Sequence, residues 1–128
     1  MRPCNRPGGS RIRFAVLTAA LALLIVAPAR AGTNSVPQPA LIAQISRQVF
    51  GQRWRAAACI AHYESTDGAH LVNGSNLGPW QSSAYWHPWI DRRRILVDWV
   101  YAARVAYRVS DGGRDWSAWP NTHRLCGV

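Results

Sequence analysis

Ala56-Ala57-Ala58-Cys59-Ile60-Ala61-His62-Tyr63-Glu64-Ser65 carries four alanines, a cysteine and the sole glutamate of the sequence. The stretch predicts a helix over residues 52–65. Ala57, Ala61 and Glu64 stand at i, i+4 and i+7 and therefore share one face. Small apolar residues on that face turn it toward a core and allow close backbone approach. Glu64 is then expected at the helix C-terminal end, half-buried at the edge of the core. A carboxyl there meets the negative end of the helix dipole, a setting that suits a proton donor. The plain alternative is a solvated glutamate in a last turn.

Toward the N-terminus, Leu41, Ile45 and Val49 recur at helical spacing over residues 40–50, with Pro39 at the start and Gly51 as a stop. Residues 32–39 read as a short linker. Toward the C-terminus, residues 66–86 are rich in Gly, Asn and Ser and read as irregular, with short strands around 69–72 and 80–82. Asp98 caps a helix over residues 99–110, whose expected stripe is Val100, Ala103 and Tyr107 and whose end is Gly112-Gly113. A short helical turn fits residues 93–97. Residues 114–128 read as an irregular tail. The expected fold class is mainly α: one small domain over residues 40–128 with irregular loops and room for a minimal β-hairpin.

Residues 1–31 have the three parts of an export signal. Arg2, Arg6, Arg11 and Arg13 form a basic start, residues 14–27 carry no charge, and Ala29-Arg30-Ala31 offers small residues for cleavage. The uncharged run is short for a membrane-spanning helix, which needs about 20 residues. Removal of this leader leaves ten arginines, no lysine and six acids, so the formal net charge falls from +9 to +4. So mild a surplus argues against a nucleic-acid partner and fits an anionic envelope polymer at least as well. Arg92-Arg93-Arg94 is the one local cluster. Two cysteines remain, Cys59 and Cys126, an even pair in an oxidising compartment; a bridge between them would staple the tail to the second helix. Free thiols or a metal site are the weaker readings, since the two residues lack zinc-site spacing.

Seven tryptophans are many for so small a core. Trp54, Trp99, Trp116 and Trp119 are expected inside. Trp80, Trp86 and Trp89, beside Tyr85, are candidates for a groove in which sugars stack on aromatic faces. Gly78-Pro79 forces a turn, after which Gln81 can offer an amide to a hydroxyl or N-acetyl group. His62 and His87 read as structural. No His, Cys or carboxylate spacing suggests a metal, no phosphate loop appears, and no cofactor is expected.

These segments together resemble the lysozyme-like superfamily, and within it the soluble lytic transglycosylase domains of cell-wall enzymes. The resemblance is carried by Glu64-Ser65 at a helix end, by Gly78-Pro79-Trp80-Gln81, by Tyr101-Ala102-Ala103-Arg104-Val105-Ala106-Tyr107, and by the closing Gly112-Gly113 with Trp116 and Trp119. It spans roughly residues 41–126. Ser82 and Ser83 follow Gln81 where the family usually has an apolar residue. The resemblance implies cleavage of the β-1,4 bond between N-acetylmuramic acid and N-acetylglucosamine, as a lytic transglycosylase or a lysozyme-type muramidase. Glu64 is the implied acid, and Ser65, Gln81, Tyr101, Trp80 and Trp86 are candidates for contact with the glycan. None of Asp67, Asp91, Asp98, Asp111 and Asp115 presents itself as a second carboxylate, so the implied route uses Glu64 alone. A non-catalytic wall-binding module and a small exported inhibitor remain rivals. The expected partner is the peptidoglycan strand, met outside the cytoplasm by a monomer without stable membrane insertion.

Overall fold

The computed structural model describes residues 37–128. The expected leader and most of the linker lie outside the described residues. Helix α1 (Pro39–Phe50) opens with proline in its first turn and buries Ile42, Ile45, Ser46 and Phe50. This stripe lies slightly to one side of the expected one, since Leu41 and Val49 are only half-buried. Gly51, at φ 55°, ends α1 with its N–H donated to the Arg47 carbonyl. A single 3₁₀ turn (Gly51–Arg53) leads directly into α2 (Trp54–Ser65), so the expected start at residue 52 moves by two positions.

Helix α2 buries Ala57, Ile60, Ala61 and Ser65, the face the alanines predict. Small side chains let α1 pack closely along it. Its end is abrupt. Thr66, Asp67 and Gly68 all take positive φ, at 53°, 54° and 87°. A Cβ on Gly68 would lie 2.4 Å from the Trp99 ring, so only glycine lets the chain pass. The Ser65 hydroxyl donates to the Ala61 carbonyl and accepts from the Gly68 N–H, closing the turn.

The next segment forms a three-stranded antiparallel sheet of two-residue strands: β1 (Val72–Asn73), β2 (Asn76–Leu77) and β3 (Ser82–Ser83). Asn73 pairs with Asn76 around a two-residue turn begun by Gly74 at φ 60°. The strands are thus displaced from residues 69–72 and 80–82, because the hairpin closes around Gly74 and the Gly78-Pro79 turn lies between β2 and β3. Gly78 sits so close to Ile95 and Ala102 that a Cβ would meet them at 3.0 and 3.4 Å.

Helix α3 (Arg94–Val97) is followed at once by α4 (Trp99–Val109). The Asp98 side chain accepts from the Tyr101 N–H and caps α4 as expected. The buried face of α4 is Trp99, Ala102, Ala103, Val105 and Ala106. Val100 is only half-buried and Tyr107 is exposed, so the expected stripe is corrected by a rotation that Trp99 imposes when it packs over Gly68. The tail is not wholly irregular, because Thr122–Cys126 forms α5, ended by Gly127 at φ 68°.

Cys59 and Cys126 are bridged, with Cα atoms 5.8 Å apart. Trp80, Trp99, Trp116 and Trp119 are buried, and Phe50 lies between Trp80 and Trp116 with ring centroids at 6.4 and 5.6 Å. The Trp119 indole donates to the Trp80 carbonyl at 2.6 Å. Burying a large apolar side chain stabilises by about 1.5–3 kcal/mol, so this aromatic column anchors both the Gly78-Pro79 turn and the tail. The fold is a small mainly α domain with one small sheet and one disulfide. No helix among the described residues is long and apolar enough to cross a membrane.

Candidate active site around Glu64

Glu64 occupies the last turn of α2 and is half-buried. The hydroxyl of Thr122, at the first residue of α5, donates to Glu64 Oε1. Two links therefore hold α5 against α2: the disulfide at Cys126 and the hydrogen bond at Thr122, one helical turn apart. No other hydrogen bond or ion pair engages Glu64 among the described residues.

The five aspartates differ from Glu64 in a way that bears on chemistry. Asp67 is buried and bonded to His62 Nδ1 at 2.9 Å. His62 precedes Glu64 by two residues, roughly 200° around the helix, so this pair faces away from the Glu64 side chain. Asp91 accepts from the N–H groups of Arg94 and Arg93, which hold its carboxyl below the ordinary aspartate range. Asp98 caps α4 and pairs with Arg94. Asp111 is held low by its hydrogen bond and charge contact with Arg114. Asp115 is held low by the backbone and side chain of Ser117. Each aspartate already serves a turn, a cap or an ion pair, whereas Glu64 receives only a neutral hydroxyl.

The remaining candidates divide. Ser65 is buried, and its hydroxyl is engaged with Ala61 and Gly68, so it shapes the turn behind Glu64. Trp80 is 1% exposed and donates its indole N–H to the Ala57 carbonyl, so it presents no ring face to a sugar. Its expectation as a stacking residue is corrected: the Gly78-Pro79 turn drives it into the core on the inner face of α2. Gln81 is also buried, at φ 47°, with its amide N–H groups donated to the His70 and Gly78 carbonyls. Its Oε1 has no hydrogen-bond partner, and neither has the adjacent Ser82 hydroxyl. Gln81 thus ties the segment after α2 to the Gly78 turn and keeps one acceptor free. The Tyr101 hydroxyl accepts from the Asp91 N–H, which turns it toward the loop before α3.

Trp86 is 75% exposed and meets Tyr85 edge to face at 4.8 Å. It remains the open aromatic surface of the expected groove segment. Trp89 is partly exposed, but the Arg108 guanidinium lies 4.2 Å over its ring. Trp54, expected inside, is only half-buried and carries Arg47 at 4.1 Å and Arg55 at 4.9 Å over its ring.

Thr122 was not among the sequence candidates. It lies 58 residues from Glu64 in the chain, and only the cysteine four residues beyond it signals that this part of the tail returns to α2. Comparison with protein-family models, with curated proteins and with solved structures found no match.

Proposed function

We propose that this protein cleaves the β-1,4 bond between N-acetylmuramic acid and N-acetylglucosamine in peptidoglycan, with Glu64 as its single acid–base group. The observation that carries this reading is the contrast among carboxylates. Glu64 alone is half-buried at a helix end without a cationic or backbone partner, and every described aspartate is committed elsewhere. A two-carboxylate hydrolase needs a second free carboxyl within reach of the sugar. A route with one carboxylate does not.

In that route protonated Glu64 gives its proton to the glycosidic oxygen, and the bond from that oxygen to the muramyl C1 breaks. The carboxylate then takes the proton of the muramyl 6-hydroxyl as its oxygen bonds to C1. A 1,6-anhydro ring forms, Glu64 regains its proton, and no water is consumed. The substrate N-acetyl group assists at C1 in place of a protein nucleophile. Thr122 holds Oε1, so that Oε2 faces the reacting bond. Trp86 offers a ring face to a neighbouring sugar.

The exposed Tyr85–Trp86 pair favours a second reading, a module that binds wall glycan without cutting it. Release of soluble fragments from purified peptidoglycan separates the two. The wild-type protein is expected to release them, and Glu64→Gln is expected to bind the wall while releasing none. Full turnover by Glu64→Gln would exclude Glu64 as the acid.

A further inference from the structure

The outer face of α4 carries positive charge that the Glu64 chemistry does not use. Tyr101, Arg104 and Arg108 stand at i, i+3 and i+7 and share that face. Arg104 and Arg108 are exposed, one turn and about 6 Å apart along the axis. The loop before α3 lies against the same face at both ends. At one end Arg108 covers the Trp89 ring. At the other the Asp91 N–H donates to the Tyr101 hydroxyl at 3.0 Å, and the Arg94 guanidinium sits 4.6 Å over the Tyr101 ring. Exposed Arg92 and Arg93 are therefore carried to the Tyr101 end. Of these arginines only Arg94 forms an ion pair, with Asp98, while the Asp91 carboxylate acts at longer range on Arg94 and Arg93. Arg92, Arg93, Arg104 and Arg108 form no ion pair among the described residues.

We propose that this face binds a linear phosphodiester polymer of the polyol-phosphate type. A guanidinium matches a phosphate with two parallel hydrogen bonds, and a chain of repeated anions can meet several arginines along one helix. The aromatic rings on the face favour a polyol-phosphate over a nucleic acid. Single-stranded nucleic acid gains affinity by stacking bases on open rings. Here Tyr101 is covered by Arg94, while Trp89 has Arg108 over it and His87 beside it at 5.6 Å. What the face offers is charge for a backbone that has no bases. The proposal does not rest on the role of Glu64, and its test involves no turnover.

The test is equilibrium binding of the full oxidised protein to synthetic poly(glycerol phosphate), from about 50 to about 300 mM salt, with charge-matched single-stranded DNA as competitor. R104Q/R108Q and R92Q/R93Q are each expected to weaken binding about tenfold or more and to flatten its salt dependence by about two charges' worth. R47Q/R55Q, which removes the same charge beside Trp54, is expected to weaken it less than about twofold. Melting curves confirm that each pair folds, and the two face variants are independent of one another. An equal loss in R47Q/R55Q would reduce the effect to net charge and overturn the proposal. Tighter binding of DNA, or no binding of poly(glycerol phosphate) at the lowest salt, would overturn it as well.

Discussion

Among the described residues, the Thr122 hydroxyl is the one side-chain group hydrogen-bonded to the Glu64 carboxyl. If it positions that carboxyl, Thr122→Ala should lower kcat about tenfold with little change in KM, and Thr122→Ser should restore it. Loss of melting temperature without that kinetic split would make Thr122 merely structural. Gly68 is decisive in another way. Its φ of 87° and the Trp99 ring 2.4 Å from a would-be Cβ leave no room for a side chain. Gly68→Ala is expected to cost about 1–3 kcal/mol in denaturant unfolding. Glu64 was legible in the sequence as a lone glutamate on an alanine face. Trp80 was not, because a tryptophan after a Gly-Pro turn looks the same in sequence whether the turn leans outward or, as here, packs Gly78 against Ile95 and Ala102.

At the scale of elements, starts and stops carried most of the information. Pro39 opens α1, Asp98 caps α4, and Gly51 and the residues after Ser65 end their helices where expected. Helix α5 escaped because five residues are too few for a periodic pattern to show, although Gly127 at φ 68° is an ordinary helix stop. The strands were expected but misplaced for a similar reason, since two-residue strands cannot display alternation. The turn before α3 carries one of the pH dependences. The N–H groups of Arg94 and Arg93 lower the Asp91 value relative to the unfolded chain. The stability they contribute is therefore fully present above the ordinary aspartate value and is lost as pH falls through the lowered one. A carboxyl NMR titration should place the Asp91 midpoint below those of unstructured aspartates, and Asp91→Asn should remove its share of the acid-side stability loss. A midpoint at the ordinary value would show that these hydrogen bonds do not form in solution.

At the scale of the molecule, one covalent cross-link ties the tail to α2. The Cys59–Cys126 bridge spans 67 positions, and closing so long a loop stabilises by about 4 kcal/mol in the chain-entropy model. The same bridge keeps Thr122 beside Glu64. Reduction under mild conditions should therefore lower activity in parallel with thermal stability, and Cys59→Ala/Cys126→Ala should reproduce both effects. Retained activity in a protein that melts earlier would separate α5 from the site. The pairing was legible from cysteine arithmetic alone, but its consequence for Glu64 was not, because contact across so many residues leaves no local pattern.

Mass spectrometry of the soluble fragments released from purified peptidoglycan tests the single-carboxylate route most directly. The account predicts muropeptides ending in 1,6-anhydro-N-acetylmuramic acid, each lighter by one water than its hydrated counterpart, and their disappearance in Glu64→Gln. Fragments with hydrated reducing ends alone would contradict it, because water rather than the muramyl 6-hydroxyl would then have attacked C1.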